Sequence, residues 1–250
     1  MVEKIIELSK SAGAEILKIY NDPALSGHVE YKSDDSPLTK ADHASNDVII
    51  KGLKELDVDY PILSEEEKQQ SYETRKDWKT FWLVDPLDGT KEFINRNGEF
   101  TVNIALIKDG LPVLGVIYVP VKDITYWADE SGAYKIEDGN QTRISINNSK
   151  TNRIAVRSKS HASVEEETIL EKYNVTDSIS VGSSLKFCMV AEGKADIYYR
   201  HGPTMEWDTG AGQAILQGAG GKVFKGSKEG ELFTYNKENL LNSSFLCVGF

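Results

Sequence analysis

The stretch FTVNIALIKDGLPVLGVIYVP, residues 100–120, contains two apolar runs joined by Asp109–Gly110. An Asp-Gly pair between such runs marks a β-hairpin, because both central positions of its tight turn need positive φ. Strand character also marks Phe81–Val84 and short runs through 124–146, so meander-like strands dominate the first half. The second half differs. RIAVRS and DSISVG read as strands around the helical SVEEETILEKY, then SLKFCMVAEG reads as a helix, ADIYYR as a strand and TGAGQAILQGAG as a helix closed by Gly220–Gly221. Such alternation is the pattern of α/β folds. The spacing of Val2, Ile5, Ile6, Ala12, Ile16, Leu17 and Ile19 predicts an amphipathic helix over 2–20, and ADHASNDVIIKGLKEL predicts a second one. YPIL reads as a short strand and SEEEKQQSYETRKD as a charged loop or short helix. The shift near residue 150 predicts a seam inside one domain of 250 residues, with halves of about 1–147 (α+β) and 148–250 (α/β).

Carboxylates stand where several predicted elements begin or end. Glu65–Glu67 follow YPILS, Asp85 and Asp88 follow FWLV, and Asp208 precedes TGAGQAIL. Element ends are where a rigid scaffold presents chemistry. Mg²⁺ takes oxygen ligands, commonly carboxylates shared with phosphate and water. Asp85 and Asp88, with Pro86 stiffening the turn, can offer two carboxylates and the Leu87 carbonyl, while Gly89 lets a phosphate approach the backbone before Thr90. Each piece also has a plainer reading: a solvated charge run for Glu65–Glu67, turn formers for Asp85 and Asp88, a helix N-cap for Asp208. A Ca²⁺ loop starting at Asp85 is excluded by Leu87, Thr90 and Arg96 in its third, sixth and last places. A DxDGT aspartyl nucleophile is excluded by Pro86, two places before Asp88.

The formal charge of −10 argues against a protein that coats nucleic-acid polymers, yet allows a small phosphorylated substrate if cations reverse the local field. Cys188 and Cys247 lack CxxC spacing and suggest neither a disulfide framework nor a zinc site. The N-terminal stretch lacks the h-region of a signal peptide, and no run has the apolar length of a membrane span, so the expectation is a soluble cytoplasmic protein.

WLVDPLDGTKEF together with EWDTGAGQAILQGAGG resembles the inositol monophosphatase superfamily, and ILSEE and SPLTKAD match two further family segments in the expected order. These four motifs span residues 36–221. DPLDGTKEFINRNGEFTVNIALI and VGSSLKFCMVAEGKADIYYRHGPTMEWDTGAG look most like its bacterial 3′(2′),5′-bisphosphate nucleotidase branch, of the CysQ type. The resemblance implies a layered αβαβα sandwich with the active site between its halves. It implies two or three Mg²⁺ ions and sensitivity to Li⁺. Glu65, Asp85, the Leu87 carbonyl, Asp88 and Asp208 would hold the metal. Gly89 and Thr90 would contact the scissile phosphate, with the Thr90 hydroxyl oriented by Asp42 of TKAD. Lys32 is a weaker candidate, in a loop that covers the metals in relatives. One departure is WDTGAG, in which Gly210 takes a place where the family commonly has alanine.

The expected reaction is removal of the 3′-phosphate of adenosine 3′,5′-bisphosphate by in-line attack of metal-activated water, giving AMP. Glu65 and the Thr90–Asp42 pair would orient that water and take its proton. Ser183, Ser184 and Lys186 of GSSLKF are the candidates for the second, uncleaved phosphate, followed by Arg200 and His201. The alternatives are an inositol monophosphatase sharing the metal site, and a catalytically silent metal or nucleotide sensor. The resemblance implies a place in sulfate assimilation, and relatives of this type can associate peripherally with the inner membrane; no anchor in these residues extends that property here. The oligomeric state stays open.

Overall fold

A computed structural model describes residues 1–22, 29–31, 37–148, 151–158 and 164–250; Lys32 lies outside the described residues. The chain opens with helix α1 (Val2–Tyr20), an antiparallel pair β1 (Val29–Tyr31) and β2 (Pro37–Thr39), and helix α2 (Lys40–Lys54). Then come β3 (Ile62–Ser64), a single helical turn α3 (Tyr72–Arg75), β4 (Thr80–Asp88), the short helix α4 (Thr90–Ile94), β5 (Thr101–Lys108) and β6 (Leu111–Val119). Strands β7 (Ile124–Asp129), β8 (Gly132–Glu137) and β9 (Asn140–Ile144) complete the first half. The second half holds β10 (Arg153–Arg157), α5 (Val164–Lys172), β11 (Val175–Ser180), α6 (Leu185–Ala191), β12 (Ile197–Arg200), α7 (Gly210–Gly218), β13 (Lys222–Lys225) and β14 (Phe245–Val248).

Strands β3 to β9 form a seven-stranded sheet in chain order, parallel only between β3 and β4. The expected hairpin is β5–β6, and Asp109 (φ 50°) and Gly110 (φ 77°) supply the positive φ of its turn. The second sheet has five strands in the order β11-β10-β12-β14-β13, parallel on the β10 side and antiparallel around β14.

Alternation along β4 separates two cores. Trp82 and Val84 face α1 and α2, joining Ile5, Ile16, Ile49 and Leu53. Phe81 and Leu83 face the other way, into a core that holds Phe187 of α6, Ile215 of α7, and Tyr198 and Phe245 of the five-stranded sheet. The outer face of that sheet packs Ala155, Ile197 and Leu246 against Ile169 and Leu170 of α5. The layers therefore run helix, sheet, helix, sheet, helix: the αβαβα sandwich. A strand inside such a stack is covered on both faces, which is why β5 is buried at every position from Thr101 to Ile107. Gly115 of β6 permits the closest approach of α7, since a Cβ there would lie 2.6 Å from the Ala211 carbonyl oxygen.

Candidate metal and phosphate site

The stretch that the sequence ends at Val84 continues as strand to Asp88. Asp85 pairs with Asn103 and Asp88 with Thr101, so β4 carries one residue more than β5 over this interval. That bulge resolves the apparent conflict of a proline in a central strand: Pro86 sits where the ladder is interrupted and no N–H is required. The Pro86 carbonyl accepts from the Ser45 hydroxyl at 2.7 Å, and the Leu87 amide donates to Asp85 Oδ1 at 3.1 Å. Gly89 then adopts φ +91°, and α4 starts at once. The first bond of that helix is Phe93 N–H to Gly89 O, so the amides of Thr90 and Lys91 precede its ladder.

A cavity of about 300 Å³ lies between the two sheets, lined by Glu65, Asp85, Leu87, Asp88, Gly89, Thr90, Ser183, Ser184, Lys186, Arg200 and Asp208 among others. The three glutamates after β3 divide their work. Glu65, fixed by its amide on the Val84 carbonyl at 3.1 Å, lines the cavity. Glu66 pairs with His43 at 3.6 Å, and Glu67 accepts from Asn46 at 2.8 Å. Asp208 is not the N-cap of α7; Thr209 holds that place, and Asp208 Oδ2 instead accepts the Met205 amide at 2.9 Å. Asp42 is buried in the first turn of α2, and its charge is felt by Asp85.

The electrostatics are those of an acidic cluster without enough cations. Burial pushes the Asp85 carboxyl well above its ordinary range, and Glu65, Asp88, Asp208 and Asp42 push it further. Burial likewise raises Asp88 to about 6, against the opposing pull of Lys186 and the Ser184 amide. Asp208 is raised well above the ordinary value by burial, then by Asp88 and Glu65. Among the described residues, no three His, Cys, Asp or Glu side chains already close into a metal-holding group. The donor set nevertheless fits Mg²⁺: hard oxygens only, mutually repelling, with room for phosphate and water to complete the shell.

Two cationic side chains line the same cavity. Lys186, buried in α6, donates to the Val181 carbonyl at 3.3 Å and lies 5.7 Å from the Tyr198 ring centroid. Its burial lowers the ammonium to about 8, the Asp88 charge working against that shift. Arg200 also lines the cavity, donating to the Pro203 carbonyl at 3.4 Å, and its Nε is buried with no hydrogen-bond partner among the described residues. His201 does not line the cavity; its Nδ1 meets the Tyr199 hydroxyl at 3.4 Å.

The serines of GSSLKF line the cavity as expected of a phosphate-side pair, and their hydroxyls also engage groups within the protein. Ser183 Oγ donates to the Glu99 carbonyl at 2.6 Å. Ser184 Oγ lies 2.8 Å from both Asn103 Oδ1 and Thr101 Oγ1. Residues that sequence reasoning missed include Ser158, after β10, and Thr204, in the turn before Asp208. Only the position of Ser158 at a strand end could have signalled it.

Comparison with known proteins agrees with this architecture. The family model described as the inositol monophosphatase family matches residues 1–246. The chain is 46% identical over 246 residues to the 3′(2′),5′-bisphosphate nucleotidase CysQ of Salmonella typhimurium, covering 98% of each chain. It is 45% identical to the protein of the same name from Escherichia coli K12, again with 98% of each covered. The crystal structure of CysQ from Bacteroides thetaiotaomicron superposes with a TM-score of 0.85 at 45% identity, covering 99% of this chain and 96% of that one. Matching motifs, layers and full-length likeness lead to one conclusion: the chain belongs to the inositol monophosphatase family.

Proposed function

We propose that this protein is a phosphatase that removes the 3′-phosphate of adenosine 3′,5′-bisphosphate, giving AMP and inorganic phosphate. The observation that carries this reading is that one cavity has an acidic wall, Glu65, Asp85, Asp88 and Asp208, and a cationic wall, Lys186 and Arg200. A substrate with two phosphates suits both. The activity borne in the names of the full-length relatives supports the same substrate.

Glu65, Asp85, the Leu87 carbonyl, Asp88 and Asp208 would hold Mg²⁺. When bound, it neutralises phosphate charge and makes water more acidic. The amides of Thr90 and Lys91, which precede the ladder of α4 beyond the turn at Gly89, would hold the scissile phosphate. Glu65 takes a proton from the attacking water, while the Thr90 hydroxyl, backed by Asp42, orients that water in line with the bond to O3′. The P–O3′ bond breaks, its electron pair stays on the ribose oxygen, and that oxygen takes up a proton from solvent. Lys186 and Arg200 hold the uncleaved phosphate. The Ser183–Ser184 turn sets the start of α6 that carries Lys186.

The same reading takes the chain as one domain with halves of about 1–147 and 148–250, supported by the α6–α7 layer that packs against both sheets. No helix among the described residues is long and apolar enough to cross a membrane. A cytoplasmic setting belongs to this reading, supported by the unpaired thiols of Cys188 and Cys247. The test is phosphate release from adenosine 3′,5′-bisphosphate and inositol 1-phosphate, with and without Mg²⁺, and with Li⁺ added. Mg²⁺-dependent hydrolysis favouring the bisphosphate is expected. A preference for inositol 1-phosphate would discard the second-phosphate role of Lys186 and Arg200.

A further inference from the structure

Two residues before Asp208, the Glu206 side chain is completely buried. Its Oε2 accepts the Asn236 amide at 2.7 Å, and its Oε1 accepts the Lys237 amide at 2.9 Å and Lys237 Nζ at 2.6 Å. Lys237 Nζ reaches on to Asn242 Oδ1 at 3.0 Å. Asn242 Nδ2 donates to the Met205 carbonyl at 2.7 Å, to Thr204 Oγ1 at 3.1 Å and to Thr209 Oγ1 at 3.3 Å. Main-chain bonds close the ring at both ends, Glu206 N–H to Leu240 O at 3.1 Å and Asn242 N–H to Thr204 O at 2.8 Å. The segment 234–242 thus encircles the turn 204–209 that presents Asp208.

The ring is also tied to the first half of the chain. Arg75, just before β4, donates to Asn236 Oδ1 at 2.9 Å and to the Glu238 carbonyl at 2.7 Å, and Asn236 Nδ2 donates back to the Arg75 carbonyl at 2.7 Å. One continuous set of bonds therefore runs from the end of α3, in the segment that leads into β4, to the turn carrying Asp208. Leaving a buried carboxylate in place is costly unless it is paired and fully hydrogen-bonded. Here it is both, and no step of the proposed reaction uses it.

We propose that Glu206 and Lys237 are a positioning pair that fixes Asp208 against Asp85 and Asp88 across the cavity. This rests on Asp208 being a cation ligand. Outer partners of ligating groups, when removed, typically weaken metal binding by about 10–100-fold. Loss of this pair lets the 204–209 turn relax and separates Asp208 from the other ligands.

The test is titration calorimetry with Mg²⁺ alone, on the full chain without substrate, alongside thermal unfolding in chelator. Glu206→Gln and Lys237→Met are each expected to weaken Mg²⁺ binding by about 10-fold, while Lys237→Arg restores it. In an Asp208→Asn background, Glu206→Gln should add no further loss, since its effect passes through Asp208. A wild-type protein that binds no Mg²⁺ overturns the reading of the site and this inference with it. Wild-type binding with equal affinity in Glu206→Gln and Lys237→Met overturns this inference alone, even if both melt earlier, because the pair then only holds the fold. Additive losses in the Asp208→Asn background overturn it as well.

Discussion

The Ser184 amide donates to the Asp88 carboxylate, joining the first turn of α6 to the end of β4. The hydroxyl of the same serine engages Asn103 and Thr101 on β5, so one residue ties the two halves together beside the acidic wall. Ser184→Ala keeps the amide bond but strips both β5 side chains of a buried partner. It should lose about 1–3 kcal/mol of stability in urea unfolding, with the KM for the bisphosphate unchanged. A raised KM would return that hydroxyl to the substrate.

Asp88→Asn removes a ligand charge from the acidic wall. Several kcal/mol of transition-state stabilisation depend on such charges, so kcat/KM should fall by about 100-fold or more. The same change removes a charge that burial disfavours, an effect larger than the attraction of Lys186 that it also removes. The variant should therefore melt above the wild type in chelator at neutral pH. Near-normal turnover would remove Asp88 from the site.

Without cations, the folded protein holds a proton on Asp88 between the ordinary value of 3.8 and about 6, where the unfolded chain has released it. The folded state then binds more protons than the unfolded one, so stability falls as pH rises through that window. Asp85 and Asp208, raised by burial and by their neighbours, act in the same direction. Melting temperatures in chelator should decline between about pH 4 and about pH 6, and saturating Mg²⁺ should flatten the slope and release protons on binding. A cation-free profile that rises over this range would contradict the acidic-wall account.

Lys186, lowered to about 8 by burial, is charged at neutral pH and loses its charge above that value. KM for the bisphosphate should rise as pH passes about 8 while kcat is held, and Lys186→Met should abolish that inflection. A charge-assisted hydrogen bond contributes about 1.5–3 kcal/mol, so the variant's KM at neutral pH should rise by about 10–100-fold. An unchanged KM would leave the second phosphate without its lysine.

Gly115 lies where β6 meets α7, with the Ala214 Cβ 2.7 Å from any added Cβ and the Ala211 main chain as near. Backbone cannot yield cheaply, so Gly115→Val should cost about 1–3 kcal/mol in urea unfolding. Activity should fall too, because α7 follows directly on the Asp208 turn. Wild-type stability in this variant would show that the helix can retreat.

Much of this protein was legible locally. Hydrophobic periodicity gave α1 to within its ends, Asp109–Gly110 gave the hairpin, and the order of four motifs gave the family. The carboxylates of the acidic wall stand in those motifs, and the family resemblance singled out Glu65, but the charge run by itself gives no physical reason to separate it from Glu66 and Glu67. Their difference lies in which neighbour each side chain meets, His43 and Asn46 for the latter two. Sequence stopped β4 at Val84 because a proline should end a central strand, and only pairing with β5 revealed a bulge that carries it on to Asp88. The serines of GSSLKF read as phosphate donors in the sequence, and only packing showed that their hydroxyls also reach Glu99, Thr101 and Asn103. Local pattern determined which elements form and where the ligand types sit, because propensity and turn chemistry act over a few residues. Tertiary structure decided which polar atoms still face the cavity, because each buried donor and acceptor must find a partner and most of those partners lie far away in the chain.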